Sequence, residues 1–399
     1  MSSIDALLDA LQTAQDGGQD CVLATVVKVE GSAYRRTGAR MLVSCFGRAE
    51  GTISGGCLEA AVAKKAWWLT ESGPVVRSYS TAIEDDDSDE ALSFGLGCNG
   101  KVHVLFERMS CSAPCLLTDA LKQVRDSRQP AALATVIASH PLGLHVTGER
   151  LLLMSGQTVT GDIPRNALAG QIGTDLQKVL QQKKSSLHHY IDGHEKIEVF
   201  LEYLPPARRL VIFGGGHDAQ PLVRMAKMLG WHVSVVDSRA HFARPERFPE
   251  ADLVMVGDIS RPFAYGELVE QAAVAIMTHS LIQDAHWLDG VLQCQPSYIG
   301  QLGPRDRTER LLTDITSRRG ALSTLDLLHY PIGLDLGGDT PESVAIAVLA
   351  EIQASLSGRS GGHLRLRPTK IHDIDSFAVS SLVKREVSEE VHQPFAINR

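Results

Sequence analysis

The sequence predicts an α/β protein: a C-terminal doubly wound parallel sheet, preceded by an N-terminal α+β domain with an internal β-hairpin repeat. Three observations predict it. After Pro205-Pro206 the chain alternates short apolar runs with amphipathic segments, the pattern of parallel βαβ units. The first of those runs leads directly into a glycine turn, GGGHDA. And residues 23–42, LATVVKVEGSAYRRTGARML, align without a gap with residues 133–152, LATVIASHPLGLHVTGERLL, at an offset of 110 with eight identities in twenty positions.

The elements follow in order. MSSIDALLDALQTAQDGG places Ile4, Leu7, Leu8 and Leu11 at helical spacing and has no early basic residue, so it reads as an amphipathic helix and not a signal peptide. Each copy of the repeat reads as a β-branched strand, a turn and a second strand. Only the first copy carries Arg35, Arg36 and Arg40 around its turn and continues into GTISGGCLE, so the first is read as the active copy and the second as scaffold. EDDDSDE (84–90) reads as a solvated loop, and GLGCNG leads into a strand over Lys101–Phe106. Cys111 and Cys115, in CSAPC, lack structural-zinc spacing. Pro205-Pro206 marks a linker. RLVIF, WHVSVVD, ADLVMVG, AVAIMTHS and SYIGQLG then read as strands, with AQPLVRMAKMLG as a helix. The last helix opens with Thr340 as its N-cap and Pro341 in its first turn. The domains expected are 1–125, 126–204 (the second copy), 207–356 and a tail, 357–399, that either wraps a partner subunit or frays.

Composition narrows the function. The 399 residues are 44% hydrophobic and 22% charged, ordinary for globular domains. A formal charge of −8 argues against nucleic acid as partner, and no stretch approaches the roughly 18 apolar residues of a membrane span. Seven cysteines without a secretion signal read as free thiols in a reducing cytoplasm.

Two sets of residues carry chemistry. Gly214, Gly216 and Ala219 match G-x-G-x-x-A directly after a strand, and Asp237 ends the next strand 21 residues after Gly216. That register is a Rossmann-like dinucleotide unit: glycines for the turn and close approach, a helix N-terminus for pyrophosphate, an acid for a ribose 2′-OH, which favours NAD over NADP. His217 lies within the turn, either as a surface residue or as a ligand-facing imidazole. His279 follows an apolar strand at the sheet edge where such folds bind ligands. The second set is Gly55 and Gly56, read as an anion nest before Cys57 at a helix N-terminus, where a thiol pKa falls; Cys98 sits in a similar turn. Beside the three arginines, the thiols suit a ligand holding both a phosphate and a soft metal or sulfur centre. Small buried cysteines in turns are the other reading.

GSAYRRTGARMLV, GTISGGCLE, GLGCNG, LVIFGGGHDAQPL, VVDSR, MTHS, YIGQLGPRDR and PIGLDLGGDTPESVAIAVLAEI resemble, in order, the motifs of the XdhC/CoxI family, accessory proteins of xanthine dehydrogenase and related molybdenum hydroxylases. The resemblance implies a carrier that binds molybdenum cofactor (molybdopterin), protects it from oxidation and inserts it into an apo molybdenum hydroxylase. It further implies an association with the cysteine desulfurase step that sulfurates the cofactor. Carried over, Cys57 and Cys98 become molybdenum or sulfur contacts and Arg35, Arg36 and Arg40 phosphate contacts, while Gly214, Gly216 and His217 line the second cleft. Tyr34 stands where the family often has proline, which bears on the aim of Arg35. A homodimer is the expected assembly. The competing expectation is an NAD-dependent oxidoreductase with Cys57 or His279 as its reactive group.

Overall fold

The protein is described by a computed structural model that covers residues 4–31, 34–56, 58–80, 100–141, 143, 145–320 and 324–368. No helix among the described residues is long and apolar enough to cross a membrane. Two compact units have as their bodies residues 7–205 and 206–368. The stretches expected as separate domains, 1–125 and 126–204, thus share one unit.

That first unit opens with α1 (Ile4–Asp16), whose Leu7, Leu8 and Leu11 are buried. β1 (Cys21–Gly31), β2 (Arg40–Ser44) and β3 (Ala49–Gly51) precede α2 (Glu59–Leu69), β4 (Val75–Ser80) and β5 (Gly100–Met109). They form one antiparallel sheet of order β3-β2-β1-β5-β4. After α3 (Leu116–Ser127), the pattern recurs: β6 (Ala131–His140), β7 (Arg150–Met154), β8 (Thr160–Gly161), α4 (Ala167–Gln182), β9 (Ser186–Asp192) and β10 (Glu195–Leu204). Its order, β8-β7-β6-β10-β9, is that of the first sheet. The repeat read as a hairpin is therefore a complete five-stranded unit with a helix.

Strand alternation explains the layers. Val22, Ala24, Val26, Val104 and Phe106 face α2, packing against Val62 and Ala66. Ala132, Ala134, Val136, Val199 and Leu201 do the same for Ile172 and Leu176 of α4. The opposite faces meet each other through Val27 and Leu105 of one sheet and Ile137, Leu187 and Phe200 of the other. The unit is a four-layer α-β-β-α sandwich.

Two buried arginine–glutamate pairs cross between the copies, besides the partly buried Lys28–Glu198 pair. Arg40, opening β2, gives Nη2 to Glu202 of β10 at 2.5 Å; Arg150, opening β7, gives Nη2 to Glu107 of β5 at 2.5 Å. All four side chains are buried, from 6% to 9% exposed. Each arginine also donates Nη1 to the carbonyl of a turn glycine, Gly38 or Gly148, at 3.1 Å. Both glycines have positive φ, 86° and 97°. A Cβ there would meet the second oxygen of the same glutamate, the one the arginine does not use: Glu202 Oε1 at 2.6 Å for Gly38 and Glu107 Oε1 at 3.3 Å for Gly148.

The second unit holds β11 (Arg209–Phe213), α5 (Ala219–Met228), β12 (His232–Asp237), β13 (Leu253–Val256), α6 (Gly266–Val269), β14 (Ala273–Ile276), α7 (Leu281–Val291), β15 (Tyr298–Gln301), α8 (Arg305–Arg319), β16 (Leu328–His329) and α9 (Pro341–Leu356). The sheet is parallel, in the order β13-β12-β11-β14-β15-β16. Leu222 and Val223 of α5 pack with Val348 and Ile352 of α9 over Leu210 and Ile212. Trp287, Leu288, Leu311 and Ile315 of α7 and α8 cover Val211 and Phe213 on the other face. Helices on both faces make the sheet doubly wound, with its strand order reversing between β11 and β14. Thr340 caps α9, its hydroxyl accepting the Ser343 N–H at 3.2 Å, as its sequence position predicts. The acidic run 84–90 and the tail from 369 onward lie outside the described residues.

Candidate functional site

In the first unit the turn before α2 is built around Glu59. Its Oε1 accepts the Thr52 hydroxyl at 2.6 Å and the Ile53 and Ser54 N–H groups at 3.2 and 2.9 Å, and its Oε2 accepts the Ser54 hydroxyl at 2.5 Å. These bonds favour the ionised form and hold the carboxyl down at about 2, against the desolvation of a half-buried group. Ser54 Oγ in turn accepts the N–H groups of Gly56 at 3.3 Å and Leu58 at 3.1 Å. Of the nest read from Gly55 and Gly56, the Gly56 N–H is thus already taken by a serine hydroxyl and is not free for an anion. The turn is stiff instead, with Gly56 at φ 110°.

Against this turn lies the ring of Tyr34. A Cβ at Gly55 would be 3.4 Å from it, so glycine is what lets the ring sit there. The Arg35 guanidinium lies 5.7 Å from the Tyr34 ring centre, a cation–π contact. Arg35 Nε is buried and has no hydrogen-bond partner among the described residues. Arg36 is exposed. Arg40, expected as a phosphate contact, gives Nη2 to Glu202 and Nη1 to the Gly38 carbonyl and so braces the two copies, while its Nε is buried without a partner among the described residues. Cys57 and Cys98 lie outside the described residues, so their expected roles as molybdenum or sulfur contacts pass to a proposal. Among the described residues no group of three or more His, Cys, Asp or Glu side chains could hold a metal ion.

In the second unit the glycine turn sits at the carboxyl end of β11, at the strand-order reversal. Gly214 has φ 119°, and a Cβ on it would fall 2.8 Å from the Met277 carbonyl, so this position excludes other residues. Gly214 N–H donates to Val236 at 2.8 Å and Met277 N–H to Phe213 at 2.7 Å, which stitches the three strand ends together. His279 is 70% exposed at the mouth, its Nε2 3.7 Å from Asp218 and 3.9 Å from where a Gly216 Cβ would be. The structure therefore joins Gly216, Asp218 and His279 at one edge, with His217 exposed beside them.

Asp237 is a correction. It is fully buried, and both its oxygens are occupied: Oδ2 by the Gly215 N–H at 2.7 Å and Arg239 Nη2 at 2.8 Å, Oδ1 by the Arg239 N–H at 2.9 Å and Nε at 3.0 Å. These donors, outweighing burial, lower its pKa. It clamps the glycine turn and is not free to accept from a ribose hydroxyl, which removes the main sequence support for an NAD site.

Sequence reasoning also missed the residues that aim the His279 loop. Asp284 of α7, fully buried, accepts the Thr278 hydroxyl and takes Nη2 and Nε of Arg307 at 2.5 and 3.1 Å. Burial pushes the Asp284 carboxyl up, while Thr278 and Arg307 pull the other way. The serine of MTHS caps α7, its Oγ 3.5 Å from the Gln283 N–H. The available signal was the acid six residues after Thr278 and the arginine in LGPRDR, two motifs that meet only in space.

Comparison with known proteins follows this division. The family model described as XdhC Rossmann domain matches residues 210–352, and that described as XdhC and CoxI family matches residues 14–80. A Bacillus subtilis (strain 168) protein described as a probable xanthine dehydrogenase subunit is 30% identical over 357 residues, covering 88% of this chain and 97% of that protein. The Escherichia coli (strain K12) molybdenum cofactor insertion chaperone PaoD is 22% identical over 337 residues, 84% of this chain and 83% of its own. A crystal structure described as a xanthine dehydrogenase from Bacillus halodurans superposes with a TM-score of 0.68 at 29% identity, over 92% of this chain and 98% of that one. The chain belongs to the XdhC and CoxI family.

Proposed function

We propose that the protein is an accessory factor that binds molybdenum cofactor, in its sulfurated form, and passes it to an apo molybdenum hydroxylase of the xanthine dehydrogenase type. Family membership supports the accessory role, and similarity to a cofactor insertion chaperone over most of both chains supports the cargo. The observation that carries the reading is Arg35, a guanidinium whose buried Nε has no partner among the described residues, beside a glycine turn that runs directly into Cys57. A cationic donor and a thiol at one turn suit cargo with a phosphate at one end and a soft metal–sulfur centre at the other. In this reading Arg35 donates to the phosphate, Cys57 and Cys98 contact molybdenum or its sulfur, and Glu59 holds the turn. The protein needs no turnover of its own. The oxidoreductase reading keeps the Rossmann glycine turn and His279, but with Asp237 closed off it loses its acceptor for a free ribose diol.

The test is purification without oxygen from molybdate-fed cells, with assay of bound molybdenum and of the fluorescent oxidised pterin released on denaturation. Near-stoichiometric amounts of both are expected in the wild type. Cys57→Ala should lose both while its circular dichroism stays unchanged. A wild type free of pterin would sink the carrier reading, and full retention in Cys57→Ala would sink the assignment of that thiol.

A further inference from the structure

Asp237 ends β12, the position from which this fold reads the ribose. A free 2′,3′-diol needs an acceptor there, and both carboxylate oxygens are already occupied by Gly215 and Arg239. What the strand end presents instead is the guanidinium of Arg239, one-third exposed. With Nε and Nη2 bonded to Asp237, its Nη1 edge is the side left for a ligand. The Phe242 ring centre lies 3.9 Å from its guanidinium carbon, so the carboxylate fixes one edge and the aromatic ring one face. Arg247 approaches the same ring at 5.1 Å and donates to the Gly215 carbonyl at 3.2 Å. Two guanidinium groups against one carboxylate leave this corner of the glycine turn with one positive charge in excess.

We propose that the second unit binds a nucleotide whose ribose carries a 2′-phosphate, with Arg239 as the residue that selects it over a nucleotide with a free diol. Arg239 sits where the fold places a 2′-substituent, is oriented before any ligand arrives, and offers the planar fork that suits a phosphate. The inference does not rest on the carrier reading, because nucleotide selection and cofactor retention are read out separately.

Isothermal titration of the full chain with adenosine 2′,5′-bisphosphate and with adenosine 5′-monophosphate isolates the 2′-phosphate. The bisphosphate is expected to bind at least about tenfold more tightly, the increment of one charge-assisted hydrogen bond. NADP should exceed NAD by a similar ratio. Arg239→Gln should bring the ratio to about one, and Arg239→Lys to an intermediate value, since charge is kept and the fork lost. Because Arg239→Gln strands a buried carboxylate, Asp237→Asn combined with Arg239→Gln restores neutrality and should be equally indifferent to the 2′-phosphate. Equal affinity for the two probes, tighter binding of the diol nucleotide, or no binding of either at millimolar concentration would each overturn the proposal. So would a tenfold ratio that survives in the folded double variant.

Discussion

Changing Glu107 to Gln should strongly destabilise the first unit. The Glu107 side chain is 7% exposed and faces Arg150 Nη2 at 2.5 Å, with the arginine side chain 8% exposed. Burial lowers the Arg150 pKa while Glu107 raises it, and the pair wins: the guanidinium is held charged. Without its hydrogen-bonded partner it is a buried charge left with the weaker field of Asp162 to offset it, and breaking such a pair costs about 3–5 kcal/mol. For a unit of this size each kcal/mol moves the midpoint by roughly 2–4 °C, so a fall of about 6–20 °C is expected. Differential scanning calorimetry gives the midpoint, and hydrogen exchange read peptide by peptide assigns it: β5, β6, β7 and β10 should lose protection while β11 and β14 keep theirs. The replacement of both partners, Glu107→Leu with Arg150→Met, should cost much less than either single change, because no charge is left stranded. A drop below about 2 °C for Glu107→Gln, or a double variant as damaged as the sum of the singles, would refute the reasoning.

Three further outcomes follow. The Glu59 carboxyl, at about 2 when folded against an ordinary 4.5, stabilises the turn above pH 4.5 and loses that contribution as pH falls towards 2. Discounted for its exposure this amounts to about 1–2 kcal/mol, so the midpoint of Glu59→Gln should vary less between pH 5 and pH 3 than that of the wild type. Gly214→Ala should cost at least about 2 kcal/mol in a denaturant titration, through positive φ and the Met277 carbonyl. Gly216→Ala, with nothing closer than 3.9 Å, should cost under about 1 kcal/mol. Asp284→Asn should release the Thr278–Ser280 loop, seen as faster exchange of those amides and a loss of about 2 kcal/mol, since Arg307 keeps some access to water.

The parallel sheet was legible because its strands are short apolar runs bounded by turns, and the glycine turn because only glycine tolerates Gly214's approach to Met277. The repeat was only half legible. Arg40 and Arg150 differ by 110 positions, but Glu107 and Glu202 differ by 95, because residues 81–99 separate β4 from β5 where only 193–194 separate β9 from β10. A gap of that size hides the second half of the copy from any ungapped alignment. The sequence nonetheless held an unused clue to Arg40. An arginine common to both copies answers to the scaffold they share, whereas Arg35, replaced by His145 at the same offset, does not. Asp237 shows the opposite limit. The acid stands at its expected strand end, but Arg239 folding back onto it depends on a side-chain rotamer, which spacing does not encode.

The crossed arginine–glutamate pairs have a consequence for how the first unit is held together. Neither copy pairs its own arginine with its own glutamate; each lends one to the other. A chain with a single copy would carry both halves of the bond and be unable to close it alone. Two such chains about a twofold axis would close both bonds at once, as an isologous contact does. The present chain is that arrangement made covalent, with α3 as the tether that keeps the halves at high effective concentration whatever the dilution. Freed from identical-chain symmetry, one half could lengthen its β4–β5 connection and acquire Cys98 there while the other kept a two-residue turn.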